Sequence, residues 1–102
     1  MIEVQVLIPV ADNAGVTFDP SFDVEFETFL ATEFGGFSQL PGLVSGGWVS
    51  AGVFYPDHHR VYMVSLTSIC DGGKVRKMAD TTKATYQQLA VYIRYLGLAE
   101  II

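Results

Sequence analysis

The sequence has one cysteine, two histidines and, in residues 1–59, no lysine or arginine. A single cysteine, Cys70, cannot close an internal disulfide, which favours a reducing compartment and predicts a cytoplasmic protein. Because Cys70 ends an apolar run, we interpret it as a buried, inert thiol. No apolar stretch is long enough to span a membrane, and residues 2–10 lack the flanks of a signal peptide. We therefore expect a soluble protein with no membrane partner.

The net charge of −5 is unevenly distributed along the chain. Residues 1–59 carry eight acids and no base, which gives −8, and residues 60–102 carry six bases against three acids, which gives +3. Nucleic-acid binding requires a basic surface, so we expect no nucleic-acid partner. Two interpretations of the asymmetry remain. Either an acidic helix lies beside a basic one, or a basic patch binds an anion, for which Gly73-Lys74 at a helix start is the best-placed segment.

The sequence is rich in apolar residues. Half of its 102 residues are hydrophobic, and only 17% are charged. A domain of this size buries only part of its surface, and surplus apolar area is usually covered by a partner. The composition therefore predicts a homodimer or a higher homo-oligomer.

The first half of the chain predicts a strand followed by a helix. Apolar residues at every second position predict a half-buried strand over residues 2–8. Asp19 is a typical N-cap, Pro20 fits the first helical position, and Gly35 is a typical left-handed C-cap. The helix between them has an apolar stripe at helical spacing that we expect to be buried: Phe22, Phe26, Phe29 and Leu30.

The second half predicts a hairpin, a second helix and a last strand. We expect strands over residues 47–55 and 60–70, joined by a hairpin turn at residues 56–59. Asp71-Gly72-Gly73 opens the second helix, and the final strand begins at about Leu89. The order β-α-β-β-α-β predicts one α+β domain over residues 1–102. It is a ferredoxin-like sandwich, with a four-stranded antiparallel sheet and two helices on one face.

Several short motifs extend along nearly the whole chain: Phe34-Gly35-Gly36, Gly47-Trp48, Asp57, Arg60-Val61-Tyr62, Gln88, Val91-Tyr92-Ile93 and Ala99-Glu100-Ile101-Ile102. Together they resemble a family of small uncharacterised bacterial proteins. These proteins share an N-terminal strand that ends in Ile-Pro, a Phe-Gly-Gly helix end and a Gly-x-Trp strand. The resemblance implies a ferredoxin-like fold and a second helix that ends near Gln88, and it implies no particular activity.

Candidate ligand groups are few. His58 and His59 follow Asp57, but adjacent side chains diverge and no further ligand completes a tetrahedral site, so we expect no metal. The glycine pairs match neither phosphate-loop pattern, and we expect no cofactor. Aromatic side chains on the predicted strands can form a subunit interface, a pocket for a small apolar ligand, or both. The candidate ligand-binding residues are Trp48, His58, His59, Tyr62 and Tyr92, and we expect the Trp48 indole to be mostly buried.

Three functional hypotheses follow from these residues. The first is a homo-oligomeric ferredoxin-like binding or interaction module. The second is a small dimeric ferredoxin-like enzyme, of the cofactor-independent monooxygenase or isomerase type, acting on an apolar or aromatic metabolite. The third is a phage- or plasmid-encoded inhibitor whose acidic half meets a basic partner. A large apolar pocket with convergent polar groups and a perturbed histidine favours the enzyme, whereas a flat, apolar sheet face buried against a copy of itself favours the module.

Overall fold

The structure is a computed structural model that describes residues 1–12, 14–68 and 71–98, with side chains for all of these except Trp48 and Leu98. The prediction for Cys70 falls outside these residues. The described part contains five strands and two helices in the order β1 (Ile2–Pro9), α1 (Pro20–Phe34), β2 (Ser38–Gln39), β3 (Val44–Ser50), β4 (Val53–Leu66), α2 (Gly72–Tyr86) and β5 (Tyr92–Leu98). No helix of the described residues is both long and apolar enough to cross a membrane.

The strands form one antiparallel sheet with β1 near its centre. β1 pairs with β4 on one side and with β5 on the other. Both β2 and β3 pair with β4, β2 near Tyr62 and β3 from His59 towards Val53. The strand β2 is two residues long, and it is the addition to the four strands predicted from the sequence.

The local signals of α1 act as the sequence predicts. The side chain of Asp19 accepts a hydrogen bond of 2.8 Å from the backbone N–H of Ser21, which satisfies one of the free amides of the first turn. Pro20 occupies the first helical position. Gly35 ends the helix with a φ of 78°, a conformation that costs glycine little.

Both helices pack on the same face of the sheet and enclose the main core. On the strands, alternate residues of β1 and β4 point into this core. On the helices, the apolar stripes supply Phe26 and Leu30 from α1 and Met78 and Tyr86 from α2, all without exposed surface. The whole buried cluster consists of Val4, Val6, Ile8, Phe26, Leu30, Tyr62, Val64, Leu66, Val75, Met78 and Tyr86. This arrangement confirms the predicted α+β fold.

The hairpin turn is not where the sequence predicted it. Residues 56–59 lie inside β4, and the chain reverses at Ala51 and Gly52, which have φ angles of 52° and 77°. Two consecutive positive φ angles are typical of a two-residue turn that matches the twist of a hairpin. Pro56 is tolerated in β4 because β1 pairs with β4 only from His59 onwards, so Pro56 lies beyond the last β1 partner.

The end of α2 lies close to its predicted position. The helix ends at Tyr86, followed by a left-handed Gln87, and β5 begins at Tyr92. Leu89, which we assigned to the strand, lies in the connection between them and is 99% exposed. The connection is needed because β5 must cross from the helix layer back to the edge of the sheet beside β1.

Candidate functional site

A cleft opens on the sheet face that points away from the helices, between the β3–β4 hairpin and β5. It has a volume of about 410 Å³. We call it the sheet-face cleft, and its lining consists of Leu7, Val44, Ser45, Gly46, Gly47, Asp57, His59, Ala90, Val91, Tyr92 and Arg94. Residues of four strands, β1, β3, β4 and β5, and of the segment just before β5 therefore meet around one space.

Strand alternation explains which side chains reach the cleft. Residues 57, 59 and 61 of β4 share one face, whereas residues 60 and 62 point to the helices. In the same register, Leu7 lies opposite both Val61 and Tyr92. Leu7 and Val61 are buried although they lie outside the main core, so this part of the open face is covered by the chain itself.

His59 and Asp57 form the titratable pair of the cleft. The Nδ1 atom of His59 lies 3.5 Å from Oδ1 of Asp57, and the two side chains are 19% and 36% exposed. The two residues are two positions apart on one strand, so they share a face. A carboxylate at this distance orients an imidazole, which is an arrangement that general acid–base chemistry uses.

Arg94 and Tyr92 form the opposite wall. The guanidinium carbon of Arg94 lies 5.3 Å from the centroid of the Tyr92 ring, within the range of a cation–π contact. Both residues are exposed, and they too are two positions apart on one strand. The cleft therefore presents a cation, an imidazole with its carboxylate and an aromatic ring, a set that suits a small aromatic ligand with polar substituents.

The structure brings together some of the predicted site residues and separates others. His59 and Tyr92 line the cleft. His58 is outside its lining, and its Nδ1 atom lies 3.2 Å from the hydroxyl of Ser45. The backbone of Trp48 pairs with Tyr55 in the hairpin, but its side chain lies outside the described part of the structure, so its burial stays a prediction.

Tyr62 does not belong to the cleft, because it faces the helices and is 1% exposed. Its ring packs edge-on against Phe26 with centroids 5.5 Å apart, and its hydroxyl donates a hydrogen bond of 3.2 Å to Glu27. Burial and, to a lesser degree, the charge of Glu27 raise the pKa of Tyr62 to about 12. Strand alternation places Tyr62 on the opposite face from His59, so it does not line the sheet-face cleft, and its role in ligand binding stays a prediction.

A second polar cluster joins α1, α2 and β4 on the helix side. Asp23 accepts two hydrogen bonds from the Arg60 guanidinium, of 2.7 and 2.5 Å, and one of 2.6 Å from the hydroxyl of Tyr86. Partial burial of Asp23 favours its neutral form, but the bonds from Arg60 and Tyr86 and the charge of Arg60 outweigh this and lower its pKa. Burial and the bond to Asp23 raise the pKa of Tyr86. We interpret this cluster as structural, because it fastens three elements together.

The residues that the sequence analysis missed are Asp57 as the partner of His59, Ser45 and Arg94. Asp57 and Arg94 could have been found from the sequence, because each is two positions from another cleft residue, Asp57 from His59 and Arg94 from Tyr92. This spacing points to a shared face only when both segments are assigned as strands. Among the described residues, no group of three or more His, Cys, Asp or Glu side chains is placed to hold a metal ion.

No protein-family profile matches the chain, and no curated protein matches it in sequence. Solved structures match its fold. The divalent cation tolerance protein CutA1 from Thermus thermophilus has a TM-score of 0.66 at 16% identity, over 99% of this chain and 86% of that one. A phage SAM lyase in complex with S-methyl-5'-thioadenosine has a TM-score of 0.68 at 11% identity, over 94% and 80%. The periplasmic divalent cation tolerance protein CutA from Archaeoglobus fulgidus has a TM-score of 0.66 at 10% identity, over 99% and 86%.

At these identities the comparisons establish a shared fold and no activity. The CutA1-type structures are ferredoxin-like α+β folds, and the present chain has the same architecture over almost its whole length. The ferredoxin-like fold predicted from the sequence is thereby confirmed.

Proposed function

We propose that the protein is a homo-oligomeric ferredoxin-like interaction module whose subunits associate through the β3–β4 hairpin. The observation that supports this is a group of apolar side chains at the end of the hairpin that remain largely exposed. Val49, Val53, Phe54 and Tyr55 are 67%, 51%, 61% and 44% exposed, respectively. Val49 and Phe54 are cross-strand partners on one face of the hairpin, and Val53 and Tyr55 lie on the other face, so the end of the hairpin exposes apolar side chains on both faces. Exposed apolar surface of this kind is typical of a protein–protein contact.

The shape of the hairpin strengthens the proposal. β1 pairs with β4 only between His59 and Leu66, so the part of β4 that contains Phe54 extends beyond the central strand of the sheet. The Phe54 ring lies over Gly47, where an added Cβ would come within 2.2 Å of it. Gly47 therefore leaves room for the ring, which shares one face of the hairpin with its cross-strand partner Val49.

Names of structural neighbours add little to this proposal. One group is described as divalent cation tolerance proteins and another as a phage SAM lyase. One fold therefore carries different functions in these proteins, and the function of this chain has to be argued from its own surfaces.

Light scattering coupled to gel filtration tests the proposal. The chain has a mass of 11.2 kDa, and we expect at least twice this mass at micromolar concentrations. Val49→Lys should shift the protein towards the monomer, because a charge at the centre of an apolar contact is costly to bury.

The matched control is Val24→Lys on α1, since Val24 is 66% exposed and the change in charge is the same. A monomeric wild-type protein would contradict the proposal. So would equal behaviour of the two variants.

The sheet-face cleft supports a second candidate function, the binding of a small apolar or aromatic ligand by a small enzyme. The favouring observation is the convergence of the His59–Asp57 pair with Arg94 and Tyr92. S-methyl-5'-thioadenosine, which a phage protein of the same fold binds, is a suitable probe because it combines an aromatic base with an apolar thioether.

Titration calorimetry with this compound measures the affinity. His59→Gln should weaken binding by up to about tenfold, the usual range for losing one hydrogen bond. His58→Gln should change it little, because His58 is outside the lining of the cleft. Absence of binding at millimolar concentrations, or equal loss in both variants, would exclude this probe as a ligand of the cleft.

A further inference from the structure

A second groove lies on the helix side of the sheet, between α2 and β5. We call it the α2–β5 groove; it has a volume of about 440 Å³. Its lining consists of Gly72, Val75, Arg76, Ala79, Lys83, Ala90, Val91, Ile93 and Tyr95. It shares only Ala90 and Val91 with the sheet-face cleft, and the two open on opposite faces, because Ile93 and Tyr95 alternate with Tyr92 and Arg94 along β5.

The lining of the groove contains two cations and no acid. The other two cations of α2 already face carboxylates. Lys77 forms an ion pair of 2.9 Å with Glu33. The charge of Lys74 stabilises the carboxylate of Asp71. The pKa of Asp71 is lowered first by a hydrogen bond from Thr67 and further by this charge.

Arg76 and Lys83 differ from them, because within the described residues neither forms an ion pair. The groove therefore has an uncompensated positive charge, although the chain as a whole is acidic.

The two cations are spaced to frame a ligand. Residues seven positions apart lie on the same side of a helix, about 10 Å apart along its axis. Ala79 lies between Arg76 and Lys83 on this side and leaves room that a larger side chain would fill.

The floor of the groove is apolar. Val75 is buried, and Val91 and Ile93 are half-buried. Tyr95 is 62% exposed and forms an aromatic wall. Apolar surface below and two cations at the rim are complementary to a molecule with an acid group and an apolar body.

We propose that the α2–β5 groove binds a small carboxylic acid with an apolar body. The carboxylate lies at the guanidinium of Arg76, whose planar fork matches a carboxylate, and Lys83 adds charge. The apolar body lies on Val75, Ala79 and Ile93. This site is independent of the proposed self-association, since neither the hairpin residues nor the sheet-face cleft supplies the cations.

Calorimetric titration of the full chain with octanoate, and with 1-octanol as its uncharged counterpart, tests the proposal. We expect octanoate to bind at least about tenfold more tightly than octanol, since charge-assisted hydrogen bonds supply this difference. Arg76→Gln with Lys83→Gln should weaken octanoate binding by at least about tenfold and leave octanol binding unchanged. Ala79→Leu, which keeps both cations but fills the groove, should weaken the binding of both octanoate and octanol.

The matched control is Lys74→Gln with Lys77→Gln, which removes the same charge from the same helix outside the groove. It should change octanoate affinity by less than about twofold, because screened charges outside a site act weakly. Circular dichroism and thermal melting establish that each variant is folded. Equal losses in the two double variants, equal affinity for octanoate and octanol, or no octanoate binding at millimolar concentration would overturn the proposal.

Discussion

The bond between Tyr86 and Asp23 offers a sharp test of how the fold is held together. Tyr86 has no exposed surface, and its hydroxyl donates a hydrogen bond of 2.6 Å to Oδ1 of Asp23. Tyr86→Phe removes this donor and keeps the ring, which packs edge-on against Phe18 and Phe26 with centroids 5.3 and 5.6 Å apart. The variant therefore isolates the hydrogen bond from the packing of the aromatic ring.

The expected loss follows from the remaining partners of Asp23. A hydrogen bond to a charged group contributes about 1.5–3 kcal/mol, and the lower end applies because the Arg60 guanidinium still donates two bonds to Asp23. We expect the free energy of unfolding to fall by about 1.5 kcal/mol, which lowers Tm by roughly 6–12 °C in a domain of this size. Urea unfolding followed by circular dichroism measures the first quantity, and thermal melting the second.

The control is Tyr62→Phe. Tyr62 is also buried, but its hydroxyl donates a longer bond of 3.2 Å, to Glu27. A longer bond is a weaker one, so the loss should be smaller than for Tyr86→Phe. If both variants lose the same stability, or if Tyr86→Phe loses less than about 0.5 kcal/mol, the bond to Asp23 has no special role.

The pH dependence adds an independent check. Arg60 and Tyr86 lower the pKa of Asp23 in the folded protein, against the effect of its partial burial. A lowered folded-state pKa stabilises the fold above the unfolded value of about 3.9, and this contribution is lost as the pH falls through the folded value. The stability difference between wild type and Tyr86→Phe should therefore shrink below about pH 4. A difference that is the same at pH 3 and pH 7 would contradict the role of the ionised carboxylate.

Three further predictions concern other parts of the fold. Stability should fall as the pH rises from about 10 to 12, because burial raises the pKa of Tyr62 to about 12 in the folded protein, whereas the same side chain ionises near pH 10 in the unfolded chain. Urea unfolding across this range measures the fall in the free energy of unfolding, and a flat profile would contradict the prediction. Phe26→Ala should lower the free energy of unfolding, measured by chemical denaturation, by about 3–5 kcal/mol, since Phe26 is fully buried. A loss below about 1 kcal/mol would contradict this, because it would mean that the core closes around the space left by the ring. Gly47→Ala should displace the Phe54 ring, because the added Cβ would lie 2.2 Å from it; nuclear Overhauser contacts between the ring and residue 47 should disappear, and their retention would contradict this packing.

The sequence predicted best those elements whose signals are local. Asp19, Pro20 and Gly35 define both ends of α1 by capping geometry that depends on neighbouring residues alone. The prediction of β1 from its alternating apolar residues required only the assumption that one face of the strand is buried. The β3–β4 turn was missed because Pro-Asp-His-His is more typical of a turn than Ala51-Gly52 is, and the register between β3 and β4 decides between them.

The error in the turn carried over to the candidate site. When residues 56–59 are taken as a turn, His58 and His59 are equivalent, and the pairing of Asp57 with His59 on one strand face is hidden. Tyr62 was chosen as an aromatic on a strand, but whether it faces the helices or the cleft depends on the register of β4, which is a long-range property. Arg94 was missed because its relevance comes from the approach of β5 to the hairpin.

Strand β4 connects these observations into one physical picture. Its residues His59 and Arg60 are neighbours, yet the first lines the sheet-face cleft and the second bonds to Asp23 under the helices. A shift of one residue in the pairing of β4 with β1 would exchange them, placing a charged guanidinium at the cleft and an imidazole beside Asp23. The Asp23–Arg60 bonds therefore form only in the register that gives His59 its place, and the same register buries Tyr62 and Val64 in the core. We infer that the structural cluster on the helix side and the cleft on the open side are consequences of the same strand alignment.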